Sequence, residues 1–297
     1  WRVDSSLNRS ASTNRFRGPS EGNFAGMNVT LAPVSRVVLA DVTSIQPRTI
    51  RAFENSGREI DLYDINNYRV NNASLLTRDV SDDLTSLDLT VQRRLGFLPF
   101  PASVQAGGLW REQVRDSRRT SETYTYNGVN GNFSAAPYRN QVYVGRNSHF
   151  GLPGLVAPWT SKHRAFQAWR ENPALFSMTA AQAVAAEQFY ITNSEYIEET
   201  VEAAYAQAEA RLFQGRLTLL TGVRFERTTD EGLGPVFEPG NAFVRNPDGT
   251  FARNAQGQRL RRPDAGAAGS MEELRLAREE RGFRAHRSYD GFYPSLH

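Results

Sequence analysis

The sequence predicts an all-β fold of about six long antiparallel strands, joined by long loops that carry short helices. Three observations lead to this prediction. Apolar and polar residues alternate along several stretches, two of these stretches are separated by a turn short enough for a hairpin, and long connections alternate with short ones. With 39% hydrophobic and 11% aromatic residues, the chain has enough apolar material for a packed protein.

The clearest hairpin spans residues 196–229. Along its second arm the apolar residues share one face, with Thr221 as the exception: Leu217, Leu219, Val223 and Phe225. The opposite face carries mostly polar residues: Arg216, Thr218, Gly222, Arg224, Glu226 and Thr228. A soluble sheet rarely places charged residues at regular spacing on a covered face. A barrel with a water-filled interior needs polar residues there, so we interpret this face as a barrel interior.

The first arm of this hairpin permits two interpretations. Residues 198–213 are rich in alanine and contain no glycine or proline, which suits a helix. At a period of two, however, Ala204, Ala206, Ala208, Ala210 and Leu212 share one face, opposite Tyr205, Gln207, Glu209 and Arg211. Because Gln214-Gly215 makes a tight reversal, the two arms can pair, and the strand interpretation is preferred.

A second hairpin is predicted over residues 84–116. Leu87, Leu89, Val91 and Leu95 share one face of its first arm, residues 96–101 form the turn, and residues 102–116 form the second arm. Aromatic residues lie near the expected strand ends: Phe97, Phe100 and Trp110. Their position suits an aromatic girdle at a membrane interface, although a soluble core would also accommodate them.

The other segments are predicted as strand ends, loops and short helices. Residues 1–10 end one strand and residues 288–297 begin another, while residues 11–83, 115–196 and 230–287 are long loops. Short β-rich pieces lie at 34–42 and 60–63, and tight turns at 246–250 and 254–257. Three helix starts are indicated: Thr160 or Ser161, Thr179 with Gln182, and Ser270 with Glu273, the last helix ending at Gly282.

Two motifs resemble the barrel region of TonB-dependent outer-membrane receptors. In that family a strand ending in a GVR(Y/F)E-T pattern leads into a long external loop, and a strand with the pattern D-x-x-PSL follows. The matching residues are GVRFE at 222–226 with Thr228, and YDGFYPSL at 289–296, which departs from the pattern in having three residues between Asp290 and Pro294. The order and separation of the two motifs strengthen the resemblance. Short turns on one rim and long loops on the other are also what outer-membrane barrels require.

The resemblance implies that residues 1–297 are a fragment of a large transmembrane β-barrel in a bacterial outer membrane, without the plug domain and the C-terminal strands. Receptors of this family bind a scarce extracellular nutrient, such as a siderophore, a vitamin or a glycan, and import it into the periplasm. The implied partners are outer-membrane lipid, the TonB complex through the missing plug, and a small-molecule or glycan ligand. As an isolated piece, the fragment is expected to form an open, curved sheet.

The resemblance also assigns expected places to individual residues. Arg216, Arg224 and Glu226 are expected in the barrel interior, where pairing with a plug or neighbouring strands is preferred over ligand contact. Aromatic residues of the external loops could stack on a sugar or siderophore, with local packing as the alternative. The candidates are Tyr124, Tyr126, Tyr138, Trp159 and Trp169, and further loop aromatics are Phe133, Tyr143, Phe150 and Tyr190.

Composition argues against several other functions. The chain has no cysteine, its four histidines (His149, His163, His286 and His297) lack ligand spacing, and no cofactor or metal is expected. An acidic group could hold calcium, but solvated acids are preferred: Asp61, Asp64, Asp79, Asp82 and Asp83. No catalytic motif is present, so an enzyme is not expected.

The sequence leaves two alternatives to the receptor. The net charge is +3 and Lys162 is the only lysine, but acids interleave with the arginines, which disfavours a nucleic-acid partner. The other alternative is a soluble secreted β-rich module that binds or hydrolyses carbohydrate. In such a module two apolar faces would pack together, whereas a barrel wall would present one continuous apolar band to lipid.

Overall fold

The computed structural model describes residues 1–31, 33–43, 47–141 and 158–297. In chain order the strands are β1 (Arg2–Arg17), β2 (Gly26–Leu31), β3 (Arg36–Ala40), β4 (Thr49–Phe53), β5 (Glu59–Ile60), β6 (Tyr68–Arg94), β7 (Ala102–Tyr126), β8 (Phe176–Ser177), β9 (Glu195–Leu212), β10 (Leu217–Phe237) and β11 (Arg278–Leu296). The helices are α1 (Lys162–Glu171), α2 (Ala180–Thr192) and α3 (Met271–Ala277).

The six long strands form one antiparallel meander in the order β1-β6-β7-β9-β10-β11. Strand β2 adds to β6 and β8 adds to β7, while β3, β4 and β5 form a separate three-stranded sheet. The prediction of a mostly β fold with about six long antiparallel strands is therefore confirmed. Within the described residues, β1 and β11 do not pair with each other, so the sheet is open.

The connections between neighbouring long strands alternate between long and short. Residues 95–101 and 213–216 form the short turns, and residues 18–67, 127–194 and 238–277 form the long connections. Because all neighbours are antiparallel, both short turns lie at one end of the sheet and all three long connections at the other. The predicted segregation of loops is confirmed.

Five of the strand boundaries predicted from the sequence are wrong. Residues 11–17, 68–83, 117–126, 230–237 and 278–287 were predicted as loop or helix and belong to the long strands. These extensions carry polar residues on both faces, interrupted at irregular positions by apolar residues such as Val70, Leu75 and Val80, so they lack the alternation that marks a half-buried strand. Backbone hydrogen bonds to the neighbouring strands and ion pairs between strands stabilise these extensions. For example, Nη2 of Arg17 lies 2.9 Å from Oδ1 of Asp79. Helix α3 accordingly ends at Ala277, because Arg278 already pairs with Phe237 of β10.

The predicted helix starts are confirmed. The hydroxyl of Ser161 accepts a hydrogen bond from Arg164 N, and Thr179 and Gln182 form a reciprocal capping box. Ser270 accepts from Glu273 N, but the Glu273 carboxylate accepts from Gly269 N rather than from the cap residue. No helix in the described ranges is long and apolar enough to cross a membrane.

Helix α2 continues the sheet edge where β9 ends. Strand β9 pairs with β7 only as far as Ser117, and beyond this point α2 packs beside β7. Arg118 of β7 donates to the Tyr190 hydroxyl at 2.8 Å, and Gln182 Nε2 donates to the Thr125 hydroxyl at 3.0 Å. The helix therefore covers part of the β7 edge that would otherwise be free to pair with another chain.

The hydrophobic core lies among the long connections rather than across a face of the sheet. Its aromatic centre consists of five residues: Phe24, Tyr126, Tyr138, Phe166 and Phe176. The ring of Phe24 lies 5.4 Å from that of Phe166 and 5.1 Å from that of Phe176, measured between centroids. This core fixes the loop after β1 and helix α1 against the ends of β6 and β7.

Candidate functional site

One face of the meander is apolar across all six long strands. A single row of directly paired residues, which we call the valine row, crosses the sheet from β1 to β11: Val3, Val91, Ala106, Ala206, Val223 and Pro294. Neighbouring rows on the same face add further apolar residues: Val104, Ala208 and Leu296, then Ala102, Ala210 and Leu219, and on the other side Leu89, Ala204, Phe225 and Phe292. The polar residues within these rows are Ser5, Arg93 and Thr221. Paired residues of antiparallel strands share a face, so these rows form one surface, which we call the apolar band.

The side chains of the apolar band are open to their surroundings. Val3 is 63% exposed, Val223 44% and Phe292 72%, although all three stand in regular, paired strands. On the central strand β9 the apolar side chains of this face run from Ala204 to Leu212, which is nine residues and close to the length that a tilted β-strand needs to cross the hydrocarbon core of a bilayer. A continuous apolar surface of this extent is uncommon on a protein that is surrounded by water.

The opposite face is polar at the same height. The row next to the valine row consists of Arg2, Gln92, Gln105, Gln207, Gly222 and Ser295. Here Gln207 Nε2 donates to Gln105 Oε1 at 3.0 Å, and Gln105 Nε2 donates to the Tyr205 hydroxyl at 2.7 Å. The Tyr205 hydroxyl also lies 2.9 Å from the Thr90 hydroxyl, so one network spans three strands. Successive residues of each strand therefore lie on opposite faces, one in the apolar band and the next in a hydrogen-bonded polar network.

Tyr205 reaches this network because β7 has a glycine beneath its ring. A Cβ atom at Gly107 would lie 2.5 Å from the Leu89 carbonyl oxygen and 2.6 Å from Cε1 of Tyr205. Only glycine leaves room for the ring at this position. The sequence placed Tyr205 and Gln207 opposite the alanines of β9, but their contacts across strands could not be predicted without the register.

Two of the three predicted interior residues lie on this polar face. Arg224 is paired with Tyr205 of β9, and its Nε donates to Glu226 at 2.9 Å. Both side chains are about one-third exposed, which leaves them able to meet a further partner. Arg216 instead lies exposed in the turn before β10, because that strand begins only at Leu217. The expected interior position of Arg216 is therefore corrected to the rim of the sheet.

The predicted ligand-contacting aromatics divide into packed and exposed residues. Tyr126 and Tyr138 are 2% and 3% exposed, and the Tyr138 hydroxyl donates to that of Tyr126 at 3.2 Å. Tyr124 and Trp169 pack against the same core with ring centroids 5.1 Å apart. These four residues are accounted for by local packing, whereas Trp159 is 55% exposed. Of the further candidates, Tyr143 and Phe150 lie outside the described residues, as does His149.

A partly buried charge cluster joins β7, β9 and β11 at the end with the long connections. Arg281 has only 13% of its side chain exposed, and its Nη1 donates to Asp116 at 3.2 Å. Its Nε donates to the Ser194 hydroxyl at 2.9 Å, and Ser194 in turn donates to Glu280 at 2.6 Å. Arg281 adopts a left-handed backbone conformation at φ 57°, so the backbone is bent to bring the guanidinium to this place. The sequence contained no signal for this contact, because the partners are far apart in the chain.

The Arg281 guanidinium also determines the charge state of its main partner. Its hydrogen bond and its positive charge, with a further contribution from Arg118, hold the pKa of Asp116 below the usual value for aspartate. Asp116 lies beyond the apolar band, on the part of β7 nearest the long connections. The contact between Arg281 and Asp116 is therefore an ion pair at neutral pH.

The described ranges contain no group of three histidine or acidic side chains arranged to hold a metal ion. Comparisons with models of protein families, with curated proteins and with solved structures find no match to this chain. What the structure itself defines is an open antiparallel sheet with one apolar face, one polar face and all long connections at one end.

Proposed function

We propose that this chain is part of the barrel wall of a TonB-dependent outer-membrane receptor. In this proposal the apolar band faces lipid, and the polar face with Gln105, Tyr205 and Arg224 faces a water-filled interior. The observation that carries it is the apolar row from Val3 to Pro294, which crosses six strands directly beside a polar row. A membrane barrel is the setting in which both faces of such a sheet are stable.

The segregation of the connections supports the same proposal. Three long connections at one end and two short turns at the other match the arrangement of outer-membrane barrels, in which the long loops lie outside the cell. The soluble carbohydrate-binding or hydrolase alternative would require the apolar face to pack against a second sheet. The exposure of Val3, Val223 and Phe292 favours the barrel wall.

In the proposed receptor, residues 127–194 and 238–277 form part of the surface that first meets an extracellular nutrient. The siderophore, vitamin or glycan would then pass through the barrel into the periplasm, with energy from the TonB complex transmitted through a plug domain. Outer-membrane lipid and the TonB complex are the partners of this proposal. The chain's own part in it is to bound the water-filled path and to carry the external loops.

The proposal is tested by labelling single cysteines in intact cells that produce the whole protein. The chain has no cysteine of its own, so Ala255→Cys in a long connection and Phe97→Cys in a short turn provide a matched pair of exposed positions. We expect a membrane-impermeant maleimide to label position 255 in intact cells, and position 97 only after the outer membrane is opened. Equal labelling of both positions in intact cells would contradict the proposal.

A further inference from the structure

The connection between β10 and β11 contains three copies of an eight-residue unit. The copies are FVRNPDGT at 243–250, FARNAQGQ at 251–258 and RLRRPDAG at 259–266. In each copy the third residue is an arginine whose guanidinium donates to a carbonyl oxygen four or five residues later. Arg245 reaches Gly249 at 3.0 Å, Arg253 reaches Gly257, and Arg261 reaches Gly266 at 3.1 Å.

The three copies close on one another with approximate threefold symmetry. Val244 N donates to Leu260 O, Leu260 N to Ala252 O, and Ala252 N to Val244 O, each at 2.9 Å. The tight turns predicted at 246–250 and 254–257 are confirmed as the first two outer corners, where Gly249 and Gly257 have positive φ. We call residues 242–266 the three-leaf module. Its cyclic hydrogen bonds hold the backbone of the arginine residues in fixed positions.

Arginine and phenylalanine side chains stack in alternation on this module. The guanidiniums of Arg245 and Arg259 lie 4.5 and 4.3 Å from the centroid of the Phe251 ring. Arg259 and Arg261 in turn lie 5.7 and 5.8 Å from the centroid of Phe243. We call these five residues the Arg-Phe ladder. Aromatic stacking restricts the guanidiniums while leaving their N–H groups able to bind an acceptor.

Most of the positive charge of the module is not neutralised. Residues 242–266 contain five arginines and two aspartates, whereas the whole chain has a net charge of only +3. Arg261 pairs with Glu273, and Arg262 pairs with Asp264. Within the described ranges, Arg245, Arg253 and Arg259 pair with no carboxylate, and Asp248 is hydrogen-bonded to Thr250. Two of the unneutralised guanidiniums lie against the same Phe251 ring.

From this arrangement we infer that the Arg-Phe ladder is a binding site for a multiply charged oxyanion, such as a phosphate or pyrophosphate group. Guanidinium groups bind phosphate oxygens through paired charge-assisted hydrogen bonds, and restricted arginines lose little entropy when they do so. The anion would accept hydrogen bonds from Arg259 and from the N–H groups of Arg245 that do not already donate to Gly249, and it would supply the negative charge that neither guanidinium meets within the described residues. This inference goes beyond the proposed receptor function and does not depend on it.

The test measures pyrophosphate binding to the whole protein and to single variants of equal charge change. Arg245→Gln and Arg259→Gln each remove a guanidinium stacked on Phe251. Arg253→Gln is the control, because it removes a guanidinium that donates to the Gly257 carbonyl oxygen and does not belong to the Arg-Phe ladder. We expect the first two variants to weaken binding at least about tenfold and the control by about twofold or less. Phe251→Leu keeps every charge and is expected to weaken binding, because the two guanidiniums lose their shared support.

Two competition experiments identify the source of the oxyanion. Vesicles containing lipid A and vesicles of phosphatidylcholine alone are added as competitors of pyrophosphate. Competition by lipid A vesicles that is lost in Arg245→Gln would identify phosphates of the membrane surface as the source, and its absence would indicate a soluble ligand. The inference is overturned if the protein shows no saturable pyrophosphate binding at millimolar concentration, or if Arg253→Gln reduces binding as much as Arg245→Gln does.

Discussion

The substitution Val91→Arg is expected to lower the free energy of unfolding in lipid vesicles by about 2–4 kcal/mol, the cost of an arginine on the lipid face of a barrel near mid-membrane. Val91 belongs to the valine row that crosses the apolar band, between Val3 of β1 and Ala106 of β7. A guanidinium there would have to leave water for hydrocarbon or distort the bilayer around it. Urea unfolding of the whole protein, folded into phosphatidylcholine vesicles, measures this difference.

Gln92→Arg is the matched control for this substitution. Gln92 is the next residue of the same strand and stands in the polar row with Gln105. An arginine there would point to water and change the free energy of unfolding by no more than about 0.5 kcal/mol. If the free energies of unfolding of the two variants differed by no more than this margin, the apolar band would not be in contact with lipid.

The substitution Arg281→Met is expected to lower the stability of the sheet end that carries the long connections by about 1–3 kcal/mol. It removes the buried cation from Asp116 and leaves Ser194 and the Glu195 carbonyl oxygen without their donor. The cost is less than for a fully buried pair, because one-third of the Asp116 side chain is exposed. Hydrogen exchange at residues 194–196 and 278–283 would report the local loss of protection.

The control is Arg284→Met, three residues along the same strand. Arg284 pairs with Glu231, but 69% of its side chain is exposed, so its loss is expected to reduce protection clearly less than the loss of Arg281 does. Similar losses of protection in both variants would show that burial of Arg281 has no special role.

The same contact gives a pH dependence whose sign follows from the lowered pKa of Asp116. A carboxyl with a lowered pKa in the folded state contributes stability above its unfolded pKa of about 4, and this contribution is lost as the pH falls through the folded value. The stability difference between the native protein and Asp116→Asn should therefore be constant from pH 5 to 8 and shrink below about pH 4.

The sequence could predict the parts of the fold that depend on local pattern. The alternation in β10, the turn at Gln214-Gly215 and the capping box of Thr179 and Gln182 are all present in the structure. The outer halves of the long strands could not be predicted, because rows such as Arg15, Asp79 and Arg118 are polar on a face that otherwise carries apolar residues. Pairing with neighbours, rather than residue preference, extends these strands.

The candidate site was predictable only in outline. Arg224 and Glu226 were placed on a polar face because their positions in the strand are visible in the sequence. The network of Gln105, Tyr205 and Thr90 depends on the register of three strands, and burial of Tyr126 and Tyr138 depends on how the long connections pack. The three-leaf module has a visible repeat in Arg245-Asn246 and Arg253-Asn254, but its third copy lacks the asparagine and the corner glycine.

The most direct test of the central claim uses spin labels on two neighbouring residues of β7 in the whole protein, reconstituted into lipid vesicles. Val104→Cys places a label on the apolar band, and Ser103→Cys places one on the opposite face with little change in side-chain size. Collision rates with dissolved oxygen and with a water-soluble nickel chelate are then compared. We expect oxygen to dominate at position 104 and the chelate at position 103. Equal access of the chelate to both positions would show that both faces of the sheet stand in water.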